Sequence, residues 1–250
     1  MFTKVIGTPH LRKLILVGFV AFGLLALLLT TTGSPLRSQG ETVREIGVGA
    51  PGTNLYQFAG QIDQDGFEFE GFGYLYNVQG MDPSELFDDP INTSETTARI
   101  TYHATATLTS RAIVTDAVRG VFALDSEGII TFYYQETPSA SFDDPDSFAN
   151  GIPIATANLR LQDILNVQSP NRGVAVGNGD FTITSVESFT FGEETVRFGR
   201  PGVVQRISTF GEGLRTDPIT PRSTVLLAGN AVDTGFRQTF LPTIANADGQ

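Results

Sequence analysis

Arg99–Thr109, RITYHATATLT, alternates apolar and polar residues without a break. Ile100, Tyr102, Ala104, Ala106 and Leu108 fall on one side of an extended chain. Arg99, Thr101, His103, Thr105, Thr107 and Thr109 fall on the other. A period of two is the mark of a β-strand with one packed and one polar face. The same period recurs from about Leu55 to Leu241, so the body of the chain reads as all-β.

Phe67–Val78, FEFEGFGYLYNV, departs from that regularity. Phe67 and Phe69 occupy odd positions, whereas Phe72, Tyr74, Tyr76 and Val78 occupy even ones. A one-residue slip sends every side chain to the opposite face, so the switch predicts a bulge or bend at Gly71, beside Gly73. Farther along, Asp125-Ser126-Glu127-Gly128 separates two apolar-rich runs and reads as a hairpin turn. Only Pro83–Phe87 and Gln162–Leu165 look able to form helical turns in the body. Many short strands without crossover helices imply an antiparallel β-barrel, with a β-sandwich as the alternative. By fold-level analogy the pattern resembles calycin-like or allene-oxide-cyclase-like barrels. A transmembrane barrel fits poorly, because the strands are separated by long acidic loops.

Ahead of the body stands a different kind of sequence. Lys4, Arg12 and Lys13 precede Leu14–Leu29, LILVGFVAFGLLALLL, which carries no charge. This order is that of a signal peptide or an N-terminal membrane anchor over residues 1–33. The run of 16 apolar residues is longer than a cleaved signal requires. As a helix it spans roughly 24 Å, short of a bilayer core of about 30 Å. Residues 34–54, rich in Gly, Pro, Ser and Thr, read as a flexible linker. Residues 55–241 then form a single β domain, and 242–250 a C-terminal tail. The expected location is extracytoplasmic, secreted or held at the membrane through residues 14–29.

Composition narrows the chemistry. Both lysines lie in the first 33 residues and all 27 acidic residues lie beyond them. The remainder carries 13 arginines and a net charge of −14. Such a surface repels phosphate backbones, so nucleic acid is not an expected partner. The absence of cysteine excludes disulfides, thiolate nucleophiles and acylation as a lipoprotein. With 19 phenylalanines and no tryptophan, the core is built on phenylalanine.

Three constellations bear on function. Phe-Asp-Asp-Pro occurs at 87–90 and again at 142–145. Asp143, Asp144 and Asp146 could gather oxygens around calcium, as could Asp82, Glu85, Asp88 and Asp89, although acidic loops are also ordinary solvated surface. No other cofactor is implied. His103 is the body's only histidine. Facing a hollow interior it could act as a catalytic acid or base, and facing outward it would be one polar residue among threonines. Tyr74, Tyr76 and Tyr102, on faces read as apolar, could line a ligand cavity.

No nucleophile elbow and no metalloprotease helix is present. The expected function is a non-enzymatic barrel that binds a small apolar ligand or a surface partner. The alternatives are a small isomerase- or cyclase-type barrel enzyme and a purely structural envelope protein. A hollow interior holding His103, an arginine and a carboxylate would favour the enzyme. An interior filled with phenylalanine would leave only a structural or partner-binding role.

Overall fold

A computed structural model describes residues 42–116, 119–217 and 222–236. Eight long strands form one antiparallel sheet that closes on itself in a ring. In chain order these are β2 (Asn54–Asp65), β3 (Glu68–Val78), β4 (Ile100–Thr115), β5 (Gly120–Tyr134), β6 (Ile152–Ser169), β7 (Arg172–Val186), β10 (Val203–Asp217) and β11 (Arg222–Phe236). Each pairs with its neighbour in sequence; β7 pairs with β10, and β11 returns to β2. The main sheet therefore does not split into the two layers of a sandwich, and it has no free edge to pair with another chain.

A second sheet holds three short strands: β1 (Arg44–Ile46), β8 (Ser188–Phe191) and β9 (Glu194–Phe198), with β1 parallel to β9. Ile46 and Phe198, paired in register, are both fully buried. Ordered structure thus reaches back into the stretch expected to be linker, because Ile46 has an apolar site to fill. Phe198 stacks on Tyr56 and Phe132, with ring centroids 5.6 and 4.9 Å apart, and so floors one end of the ring. Four hairpins, β2–β3, β4–β5, β6–β7 and β10–β11, ring the other end.

Two local expectations are corrected here and a third is met. The expected hairpin at Asp125–Gly128 is uninterrupted β5, with Ser126 buried in the interior. The chain reverses earlier, near Asp116 and Arg119, where the Arg119 N–H donates to the Asp116 carboxylate at 2.7 Å. Gln162–Leu165 continues β6 rather than coiling, since Leu161, Asp163 and Leu165 keep the strand's inward phase. The other expected helical turn is present as α1 (Pro83–Leu86), opened by the Asp82 N–H donating to the Glu85 carboxylate at 2.8 Å.

In β3 the phase switch does not occur at Gly71. Gly71, Gly73 and Leu75 oppose the inward-facing Ile62, Gly60 and Phe58, and the irregularity falls instead beside Tyr76. Phe72 and Tyr74 consequently point outward, yet Phe72 is fully buried. The two Phe-Asp-Asp-Pro loops supply the cover. Phe87 packs edge-on to Tyr74 at 6.3 Å, and Phe142 lies 6.1 Å from Phe72. Phe148, from the 3-10 turn Pro145–Ala149, completes the second cluster 5.3 Å from Phe72. The repeated motif thus places an aromatic ring against the outside of one strand in both of its copies.

The expected apolar N-terminal helix and the tail at 242–250 lie outside the described residues. Among the described residues, no helix is long and apolar enough to cross a membrane.

Candidate functional site

Inward positions on eight strands would fill a ring of this size if all carried large side chains. Here several carry glycine or alanine, and a cavity of about 590 Å³ remains. Its deep end is bounded by Tyr56, Phe58, Phe132, Phe181 and Ile207, all buried. Tyr56 donates to Gln205 Oε1 at 2.5 Å, and burial raises its phenol pKa well above the ordinary value. Midway, Leu124, Leu159, Leu161 and Leu227 continue the apolar wall. Toward the hairpins the lining becomes partly exposed and polar.

The polar end depends on a bulge. Leu108 pairs with Ser126 but Ser110 pairs with Asp125, so Thr109 is an extra residue in β4. Strict alternation from His103 would send Arg111 outward. The bulge reverses the phase, and Arg111 lies opposite the inward Leu124 and lines the cavity. Leu124 in turn lies opposite Asp163, and Asp163 opposite Gly177. Arg111 and Asp163 therefore share one level of the wall, two strand spacings or roughly 10 Å apart.

Asp163 has no hydrogen-bond or ion-pair partner among the described residues, and burial raises its pKa from 3.8 to about 6. Gly177 makes room for it. A Cβ there would lie 2.4 Å from Asp163 Oδ1 and 2.3 Å from Thr209 Oγ1. Both oxygens thus flank the same bare stretch of backbone.

Of the three tyrosines expected at a cavity, only Tyr102 lines it. Its hydroxyl lies over Gly60 and Gly73, where added Cβ atoms would stand 2.1 and 2.6 Å away. Tyr74 faces outward against Phe87, and Tyr76 is exposed beside the β3 irregularity. The cause is the same in both cases: the phase of β3 changes later than its aromatic spacing implies.

His103 lies on the outer face of the ring and does not line the cavity. Its Nε2 is 2.8 Å from Glu70 Oε1. Asp146 joins this pair, with the ligating atoms of all three within 4.8 Å of one another. Asp146 arrives there because its loop is pinned to the ring. The Thr101 hydroxyl donates to the Phe148 carbonyl at 2.6 Å, and the Gln135 amide donates to the Ser147 carbonyl at 3.0 Å. Asp143 and Asp144 are not part of this group, so the three expected calcium ligands do not converge. A metal would have to displace the His103–Glu70 hydrogen bond, and two carboxylates fall short of the 6 to 8 oxygens calcium takes.

In the first acidic loop the carboxylates also have local tasks. Asp88 pairs with Arg99 at 2.5 Å. Asp89 accepts from Asn92 and the Ile91 N–H, which lowers its pKa.

Asp163 and Arg111 were not singled out from the sequence. Asp163 was legible, since it interrupts the leucine phase of Leu159, Leu161 and Leu165. Arg111 was not, because nothing in its neighbourhood announces the bulge.

No protein-family model matches this chain, and no curated protein or solved structure matches it.

Proposed function

We propose that the ring of strands works as an extracytoplasmic binding barrel, secreted or anchored by residues 14–29, that takes a small apolar ligand in its interior. One observation carries the reading: a cavity of about 590 Å³ with an apolar floor and wall, open toward one end. That volume lies within the roughly 300–1,000 Å³ of small-molecule sites, which are likewise mainly apolar with few polar groups. The basic flank before Leu14 and the confinement of every acidic residue to the chain beyond residue 33 support export. Catalysis is weighed lower because His103 faces away from the cavity. Asp163, a carboxyl with raised pKa, has the Thr209 hydroxyl near it but no hydrogen bond to it and no second acid–base group beside it among the described residues.

The test is titration of the full chain with N-phenyl-1-naphthylamine, a neutral apolar fluorophore, alongside a Leu161→Trp variant that sets an indole across the middle of the cavity and obstructs its apolar half. The apolar segment at 14–29 is common to both proteins, so their difference isolates the interior. Saturable binding in the wild type that is lost in Leu161→Trp is expected. Equal binding by the two proteins would overturn the reading.

A further inference from the structure

We infer that the cavity takes an anionic amphiphile, its apolar body toward Tyr56 and Phe132 and its anionic head beside Arg111. This rests on the ligand-binding reading above and narrows it from any apolar molecule to one with a negative head group.

The first support is the direction of the polarity. The floor is closed by rings, with Phe198 packed beneath Tyr56 and Phe132, so a charged group cannot be accommodated there without full desolvation. All the ionisable groups that line the cavity among the described residues come from its hairpin half, apart from the tyrosines. A ligand that is apolar at one end and polar at the other fits in one orientation only.

The second is the sign of the charge. Arg111, Arg119, Arg172, Arg215 and Arg222 line that half, against the carboxylates of Asp116 and Asp163. Glu212, Asp65 and Asp217 stand at the same rim, so the guanidinium charge there is largely balanced. The sign of the field at the ligand is set by the arginine that has no acidic partner among the described residues. Three of the five are committed: Arg119 to Asp116, Arg172 to Glu212 and Arg222 to Asp65, at 2.8 to 3.1 Å. Arg215 donates to the Asp217 carbonyl.

The third is Arg111 itself. The Thr109 bulge turns it into the cavity, and it has no hydrogen-bond or ion-pair partner among the described residues. A guanidinium presents a planar fork of donors that matches carboxylate or phosphate oxygens. Asp163, on the same level two strands away, opposes an anion when ionised. The inference therefore makes two substitutions act in opposite directions.

The experiment compares two fluorophores that share one aromatic body. N-Phenyl-1-naphthylamine is neutral, and 1-anilinonaphthalene-8-sulfonate adds a single anionic group. In the full chain at pH 7.5, Arg111→Gln is expected to weaken the sulfonate probe about tenfold, the scale of one charge-assisted hydrogen bond. The neutral probe, which has no anionic group to meet the guanidinium, is expected to weaken less than about twofold. Arg111→Lys retains most of the sulfonate affinity, and Asp163→Asn strengthens it severalfold. Displacement by decanoate and by decyl phosphate, with decanol as the neutral control, distinguishes carboxylate from phosphate heads.

If the neutral probe binds the interior but Arg111→Gln leaves sulfonate binding intact, this inference falls and the ligand-binding reading stands. If neither probe distinguishes wild type from Leu161→Trp, both fall.

Discussion

Thr109 Oγ1 donates to the carbonyl of Asp125 at 2.9 Å, across the ladder at the one point where β4 carries an extra residue. The bond ties down the bulge that reverses the phase of the strand and turns Arg111 inward. Thr109→Val keeps the β-branched shape and removes the hydroxyl. A loss of about 0.5–1 kcal/mol in urea unfolding is expected, with faster amide exchange confined to the residues around Ser110. An unchanged exchange pattern there would show that the bulge holds without this bond.

Gly60 and Gly73 make the floor space that Tyr102 occupies. Gly60→Ala would set a Cβ 2.1 Å from the Tyr102 hydroxyl and 2.4 Å from the Phe72 carbonyl. Destabilisation of about 2–3 kcal/mol is expected, the upper part of the range for overpacking. Combining it with Tyr102→Phe should recover only part of the loss, because the backbone oxygen remains. A double-mutant cycle in denaturant measures the coupling. Full recovery would mean that the carbonyl gives way.

Asp163 makes stability depend on pH in a defined sense. Its pKa is higher in the folded protein, about 6, than in the unfolded chain, near 3.8. Between those values the native state binds more protons, so its contribution is fully present below about pH 4. It is lost as pH rises through 6. The span corresponds to about 2–3 kcal/mol. Asp163→Asn should therefore be more stable than wild type at pH 7.5 and nearly equal to it at pH 4, as read from melting curves. A constant difference across that range would remove Asp163 as the source.

His103 and Glu70 form a partly exposed pair on the outside of the ring. His103→Asn should cost no more than about 1 kcal/mol and leave binding of the neutral probe untouched. Loss of probe binding would place the histidine in contact with the interior after all.

Calcium should leave the melting temperature where EDTA leaves it, because Asp143 and Asp144 do not join Asp146. The group Asp146 does join already carries a hydrogen bond between His103 and Glu70. A rise in melting temperature on adding calcium would restore the loop as a metal site.

The all-β character was plain from residues 99–109, because alternation is local and each side chain reports its own face. The inward role of Tyr102 came with it. The cavity itself was not legible. Whether Gly60, Gly71, Gly73 and Gly177 weaken strands or make room depends on what lies opposite them. Likewise the aromatic spacing of β3 read as a bulge at Gly71, when the two Phe-Asp-Asp-Pro loops were burying its outer face instead.

Period-two alternation, the breakers that separate the runs, and the separation of basic leader from acidic body are properties of neighbouring residues, and the sequence alone determined them. Which face of each strand is interior, where the phase reverses, and that Arg111 and Asp163 meet one cavity were decided only by ring closure. Closure brings together residues 50 or more positions apart, and a single extra residue such as Thr109 inverts everything after it without changing the local pattern.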